Sequence, residues 1–233
     1  WKTLRKTVEK NKRKGCELWL LEKADVNPKN FPLKLAMLGD YNVQNALAAS
    51  AACFNVGIEQ KVIKSALAIF SNLTGRMEEV KNNRGITIII DFASTPNALE
   101  QSLKTLKKHA KGKLIAVFGS AGKRDEVKRS LMGEISAKLA DITIITAEDP
   151  RGELEVINKQ IVSGAEKAGA KLNTNLFVIE RRDKAIDFTV NTVAKKGDVV
   201  GFFGKSHEKS MNYDGKNEES WDEFEVVKRS LET

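Results

Sequence analysis

Several short polar clusters in this chain carry side chains able to bind a small charged ligand. Gly119-Ser120-Ala121-Gly122-Lys123-Arg124-Asp125 follows the apolar run 114–118, and Arg124 could grip a carboxylate through two parallel hydrogen bonds. Glu148-Asp149-Pro150-Arg151 follows the apolar run 142–146; Arg151 is a second planar cation, and the two acids could take an ammonium group. Gly204-Lys205-Ser206-His207-Glu208 follows a third run, and Glu208 could hold an ammonium as well. Planar cations beside acids suit a zwitterion, meaning an amino acid. Asp91, placed directly after the run 86–90, could accept hydrogen bonds from a ribose diol. Arg76, in Gly75-Arg76-Met77-Glu78, could bind an anion near a domain boundary. Residue type alone leaves the bland alternatives open: solvated turns, a cap ahead of Pro96, a surface arginine. The glycine loop at 119–122 matches neither GxGxxG nor GxxxxGK[ST], so it need not cradle phosphate. His207 has no serine or cysteine spaced to make a recognisable nucleophilic triad. Cys16 and Cys53 lack metal-ligand spacing and read as buried free thiols.

These clusters need elements to position them. From residue 86 onward the chain alternates regularly. Strands are expected at 86–90, 114–118, 142–146, 176–179 and 198–203, with helices at 97–110, 126–140, 153–168, 182–195 and 222–231. Continuous Ile/Val-rich strands between amphipathic helices imply a mostly parallel α/β sheet covered on both faces. The polar clusters then follow the carboxyl ends of the strands, where open α/β sheets usually bind ligands. Upstream, the pattern predicts a surface helix over 1–14, a strand at 18–21, a turn at 27–32 and a strand at 33–38. Two helices follow, the first after Gly39 with Asp40 or Asn42 as cap and Gly57 at its end. Lys81-Asn82-Asn83-Arg84-Gly85 reads as a linker, so domains are expected at 1–80 and 81–233.

Composition narrows the class. The chain has 233 residues, 41% hydrophobic and 30% charged, enough for a real core in one or two domains. No apolar run is long enough to cross a bilayer, and no apolar stretch of signal-peptide type follows the basic first residues. The net charge of +8 suits an anionic partner. Dispersed lysines and only 6% aromatic residues argue against a nucleic-acid platform, which needs stacking rings beside its charge.

In order, the segments GDYNVQNALAA, GRMEE, DFASTPNALE, VFGSAGKRDEVKRSLMG, TAEDPR, GFFGKSHE and SWDEFE resemble the Mur ligases, over about 33–225. The nearest branch adds the third residue of the peptidoglycan stem. The resemblance implies a Rossmann-like C-terminal domain, preceded here by the tail of a P-loop-type α/β central domain. It also implies a cytoplasmic, ATP- and Mg2+-dependent ligase, expected to be monomeric, with UDP-MurNAc-dipeptide and a diamino acid as substrates. ATP would phosphorylate the dipeptide's carboxylate and the amino acid's amine would displace the phosphate. Position by position, it assigns ATP contacts to Asn42, Asn45, Arg76 and Asp91. The amino-acid pocket falls to Arg124, Glu148, Asp149, Arg151, Gly204 and Glu208. An arginine at 151 marks members that use meso-diaminopimelate.

Some residues depart from the family's usual ones. Ser94 stands where histidine is common, Glu148-Asp149 where Asp-Asn is common, and Ser206 where glycine is common. This chain also has no P-loop, none of the UDP-sugar domain and no counterpart of the family's carbamylated lysine. It opens at Trp1 and reads as a C-terminal portion, with no catalytic or metal-ligating residue of its own, inactive by itself. A folylpolyglutamate-synthase-like ligase, or a non-catalytic module binding an amino acid or nucleotide, are the rival expectations.

Overall fold

The computed structural model describes residues 26, 29–37, 39–71 and 73–233. The helix expected over 1–14, the strand expected at 18–21 and Cys16 lie outside these residues, as does part of the 27–32 turn. The chain divides into two compact units, Trp1–Ser71 and Asn72–Thr233. The division therefore falls some residues before the expected 80/81 boundary. The reason is a short edge strand, β1 (Glu78–Val80), which pairs antiparallel with the first parallel strand and so joins the second unit's sheet.

In the first unit, residues 33–37 form no strand. A strand needs a partner for its ladder, and none is found among this unit's described residues. Helix α1 (Asp40–Asn55) starts after Gly39, whose φ of 99° suits a residue without Cβ. Neither Asp40 nor Asn42 caps it: Asp40 is already helical, and its charge instead favours the helix's positive end. Helix α2 (Gln60–Ile69) buries Ile63 with Leu47 and Phe31, and Leu67 and the half-buried Cys53 pack against that cluster.

The second unit contains a six-stranded sheet ordered β1-β2-β6-β3-β4-β5. Its strands are β2 (Thr87–Asp91), β3 (Leu114–Phe118), β4 (Ile142–Ile145), β5 (Leu176–Val178) and β6 (Val199–Phe203), all parallel apart from β1. Helices α3 (Pro96–His109), α4 (Val127–Leu139), α5 (Leu154–Lys167), α6 (Arg182–Phe188) and α7 (Glu223–Glu232) surround it. Alternation along the strands splits the core. Ile88, Ile90, Ile115, Val117, Ile144, Val200 and Phe202 pack with Ala185, Ile186 and Val190, and with Val226 and Val227 of α7. The opposite face meets α3 and α4: Gly201 lies under Leu106, and the Thr143 and Ser136 hydroxyls are 2.7 Å apart. Helices thus cover both faces, as the strand pattern implied.

The helix expected over 182–195 leaves α geometry after Phe188 and finishes as a π turn, Thr189–Val193. The Thr189 hydroxyl donates to the Ala185 carbonyl there, offering the backbone a competing bond. A small hairpin, β7 (Ser210–Met211) with β8 (Glu219–Ser220), went unforeseen; two-residue strands carry no periodicity. Among the described residues no helix is long and apolar enough to cross a membrane.

Strand register aligns the ligand side of the sheet. Asp91 pairs with Phe203, and Phe118 with Ile145, so the turns after β2, β6, β3 and β4 leave one edge in a row. Helices α4 and α5, which start from two of these turns, touch through backbone. A Cβ on Gly164 would lie 1.9 Å from the Ser130 carbonyl oxygen, and one on Gly133 would lie 2.0 Å from that of Ile161. Gly164→Ala should therefore force the helices apart. The expected loss is about 1–3 kcal/mol in urea denaturation, the usual cost of overpacking; an unchanged midpoint would refute this contact.

Candidate functional site

The turn after β3 and the turn after β4 are built against each other. The Gly122 amide donates to the Asp149 carbonyl at 2.9 Å, and a Cβ at Gly122 would sit 2.0 Å from the Pro150 carbonyl oxygen. The buried Arg129 of α4 fixes the outer side. It donates to the Ala121 carbonyl, to Gln160 and to Glu153, and Glu153 also accepts the Lys123 amide at 3.0 Å. Arg124 leaves this braced turn exposed, and its guanidinium makes no ion pair with the described residues.

Asp149 and Arg151 both have left-handed backbone, φ 48° and 51°. Their guanidinium–carboxylate pair is loose, at 3.7 Å. The Nε of Arg151 is buried without a hydrogen-bond partner among the described residues, while the Arg151 amide donates to the Asn212 carbonyl. The Asp149 carboxylate also accepts the Asn212 amide at 3.0 Å. Its strongest partner is Lys205, whose buried ammonium donates to Asp149 at 2.7 Å and to Glu208 at 2.9 Å. Two of the three acids expected to take a ligand's ammonium thus already share an ammonium from the chain itself. The clue in the sequence was Lys205, directly after Gly204 and three residues before Glu208, and residue type alone did not show that it turns inward.

Glu148 is the third of those acids, and it is buried. A Cβ on Gly204 would lie 1.9 Å from its Oε2, so only glycine there leaves room, and that oxygen has no partner among the described residues. Burial pushes the Glu148 carboxyl up to about 8. The positive charges of Arg182, Lys128 and Lys205 oppose that shift, and Glu208 adds to it. At neutral pH Glu148 is therefore mainly a neutral acid, unsuited to pairing with an ammonium as its sequence position suggested.

Four polar side chains beyond these turns, Arg182, Glu223, Trp221 and Lys128, brace the site. Arg182, fully buried at the start of α6, donates to the carbonyls of Ala147 and Phe203, the residues just before Glu148 and Gly204. Glu223 of α7 neutralises it, and Trp221 Nε1 donates to the same carboxylate at 3.0 Å. Lys128 of α4 donates to the Ser94 carbonyl at 2.9 Å.

The remaining candidates lie elsewhere. Asp91 ends β2 with both carboxylate oxygens engaged, one accepting the Met77 amide at 3.3 Å and the other the Ser102 hydroxyl. It is buried and fastens the turn before β1 to α3. Arg76 stands exposed on that turn, its guanidinium 4.7 Å above the Phe92 ring. Asn42 and Asn45 belong to α1 of the first unit, Asn42 half-buried and Asn45 exposed. Among the described residues no group of three or more His, Cys, Asp or Glu is placed to hold a metal ion.

The raised Glu148 sets a pH dependence. An unfolded glutamate loses its proton near 4.5, whereas the folded one keeps it to about 8. Between those values the folded chain binds more protons, so stability falls as pH rises through this window. Glu148→Gln keeps the shape without ionising. Its urea midpoint should match wild type at pH 4.5 and exceed it above pH 8; equal midpoints at both would refute a buried neutral acid.

A family model described as Mur ligase, glutamate ligase domain, matches residues 75–206. The UDP-N-acetylmuramoyl-L-alanyl-D-glutamate--2,6-diaminopimelate ligase of Clostridioides difficile (strain 630) is 42% identical over 194 residues, which cover 83% of this chain and 39% of that protein. The UDP-N-acetylmuramyl-tripeptide synthetase of Roseiflexus sp. (strain RS-1) is 38% identical over 199 residues, covering 85% and 39% respectively. A solved structure of a UDP-N-acetylmuramoyl-L-alanyl-D-glutamate--2,6-diaminopimelate ligase superposes with a TM-score of 0.61 at 31% identity, covering 86% of this chain and 40% of that one. The chain spans about two fifths of the length of the curated relatives it matches.

Proposed function

This chain belongs to the Mur ligase family, and from that premise we propose that it is the C-terminal, amino-acid-binding portion of a cytoplasmic ATP-dependent ligase that adds meso-diaminopimelate to UDP-MurNAc-dipeptide. One observation carries the choice of amino acid. Arg124 and Arg151 stand on adjoining turns at the carboxyl edge of the sheet, beside the acids that Lys205 holds together.

The assignment of roles follows from what each group has left to offer. The Arg151 guanidinium, held only loosely by Asp149, takes the distal carboxylate of the diamino acid. Asp149 is spent on Lys205, Asn212 and Arg151, so the distal ammonium goes to Glu208, which has one oxygen outside the Lys205 pair. Gly204 permits close approach, and neutral Glu148 offers a hydroxyl donor rather than a counter-charge. Arg124 closes over the ligand as a second cation. With the distal end fixed, the other amine is aimed at the acyl phosphate that ATP makes on the dipeptide's carboxylate; the C–N bond forms and phosphate leaves.

Arg76 takes the nucleotide's phosphates, and Asn42 and Asn45, which belong to the first unit, keep the adenine role that the family resemblance implies. Asp91 serves the nucleotide by fixing the Arg76 turn, its carboxylate being already committed to Met77 and Ser102. Magnesium enters with ATP as part of the substrate. Its ligands and the phosphate cradle are assigned to the part of the ligase that the relatives' greater length represents.

Calorimetric titration of the full chain tests the pocket. Arg151→Ala should weaken meso-diaminopimelate binding by about 1.5–3 kcal/mol, the range for a hydrogen bond to a charged group. L-lysine lacks the second carboxylate, and its weaker binding should not change. Unchanged diaminopimelate affinity would overturn the role of Arg151, and a preference for L-glutamate would point to a folate-type ligase instead.

A further inference from the structure

Ser206 holds a backbone conformation that favours glycine, φ 51°, with its side chain buried. A residue with a Cβ is strained there and needs a compensating contact. Its hydroxyl provides one, donating to the Gly75 carbonyl at 2.6 Å. The fit is mutual. Gly75 has φ 70°, and a Cβ on it would lie 2.0 Å from the Ser206 oxygen and 3.1 Å from the His207 amide nitrogen. Only glycine at 75 leaves room for a hydroxyl at 206.

Other contacts run alongside this bond. The Phe92 ring meets the His207 ring at 5.0 Å and carries the Arg76 guanidinium at 4.7 Å. Met77 is anchored to Asp91, and the Asp91 carbonyl accepts the Gly204 amide. The short turn bearing Arg76 is thus fastened at Gly75 to the loop that presents Glu208. We propose that Ser206 is a positioning residue that couples these two segments, so that filling the amino-acid site fixes the arginine assigned to the nucleotide. This rests on the amino-acid and nucleotide roles proposed above. It goes beyond them by giving one hydroxyl the task of communicating between the two subsites.

Amide hydrogen exchange on the full chain tests it, using wild type, Ser206→Ala and Ser206→Gly, each with and without meso-diaminopimelate. Alanine removes only the hydroxyl. Glycine also relieves the backbone, so its melting temperature should not fall, whereas a merely structural serine would lower it. Without ligand, amides 75–77 should exchange about five- to tenfold faster in both variants, the effect of losing one hydrogen bond. Strands β2 and β6 should be unaffected. With diaminopimelate, wild type should gain protection at both 204–208 and 75–77, and the variants at 204–208 only. Unchanged exchange at 75–77 without ligand, or ligand protection of 75–77 that survives loss of the hydroxyl, would overturn the coupling. If the ligand protects neither segment of wild type, the amino-acid reading fails instead, and the ligand-free comparison still decides whether Ser206 holds the turn.

Discussion

A buried ion pair underlies the ligand edge of this sheet. Arg182 and Glu223 are both fully buried, and an isolated charge in such a place is expensive. The pair is tolerated because almost every polar atom is used: both Glu223 oxygens accept from Arg182, Trp221 adds a donor, and two further guanidinium hydrogens reach the Ala147 and Phe203 carbonyls. Removing one partner of such a pair typically costs about 3–5 kcal/mol, because the other charge stays buried. The carbonyls it holds belong to the last residues before Glu148 and Gly204. The C-terminal helix thereby reaches, through a single arginine, the two turns that carry most of the candidate amino-acid pocket.

Strain gathers where that pocket forms. Six described non-glycine residues have positive φ, and five of them are Met77, Lys123, Asp149, Arg151 and Ser206, all on turns at or beside the site. Such backbone persists only when its surroundings over-determine it. Here the surroundings can be named: Asp91 holds Met77, Glu153 holds the Lys123 amide, Asn212 holds Asp149 and Arg151, and Gly75 holds Ser206. A ligand arriving at Arg151 or Glu208 meets groups whose backbone freedom has already been removed, which lowers the entropy lost on binding.

Much of the fold was legible from periodicity. The five parallel strands and their flanking helices are continuous apolar or amphipathic runs, and strand existence followed directly from them. What periodicity missed was short or local. Strand β1 has three residues, two of them glutamates, and only pairing with β2 makes it a strand. Residues 33–37 had the composition of a strand and no partner among the described residues. The site divided along the same line. Arg124 and Arg151 fell on turns at the expected edge because those turns follow strands. Glu148, Asp149 and Asp91 were recognisable as acids in the right places, but Gly204 and Lys205, which meet the first two, lie far along the chain, and Met77 and Ser102, which hold Asp91, stand on other elements.

The sequence by itself determined the α/β class, the order of elements in the second unit, and which residue types stand at the carboxyl ends of its strands. Those properties follow from patterns within ten or fifteen residues of chain. Tertiary structure alone decided the charge state and availability of each group. Glu148 became neutral because the fold buries it against Gly204, Asp149 became a scaffold because Lys205 turns inward, and Ser206 met Gly75 across more than a hundred residues. Burial and pairing are relations between distant segments, and a carboxylate's chemistry depends on them more than on its own identity.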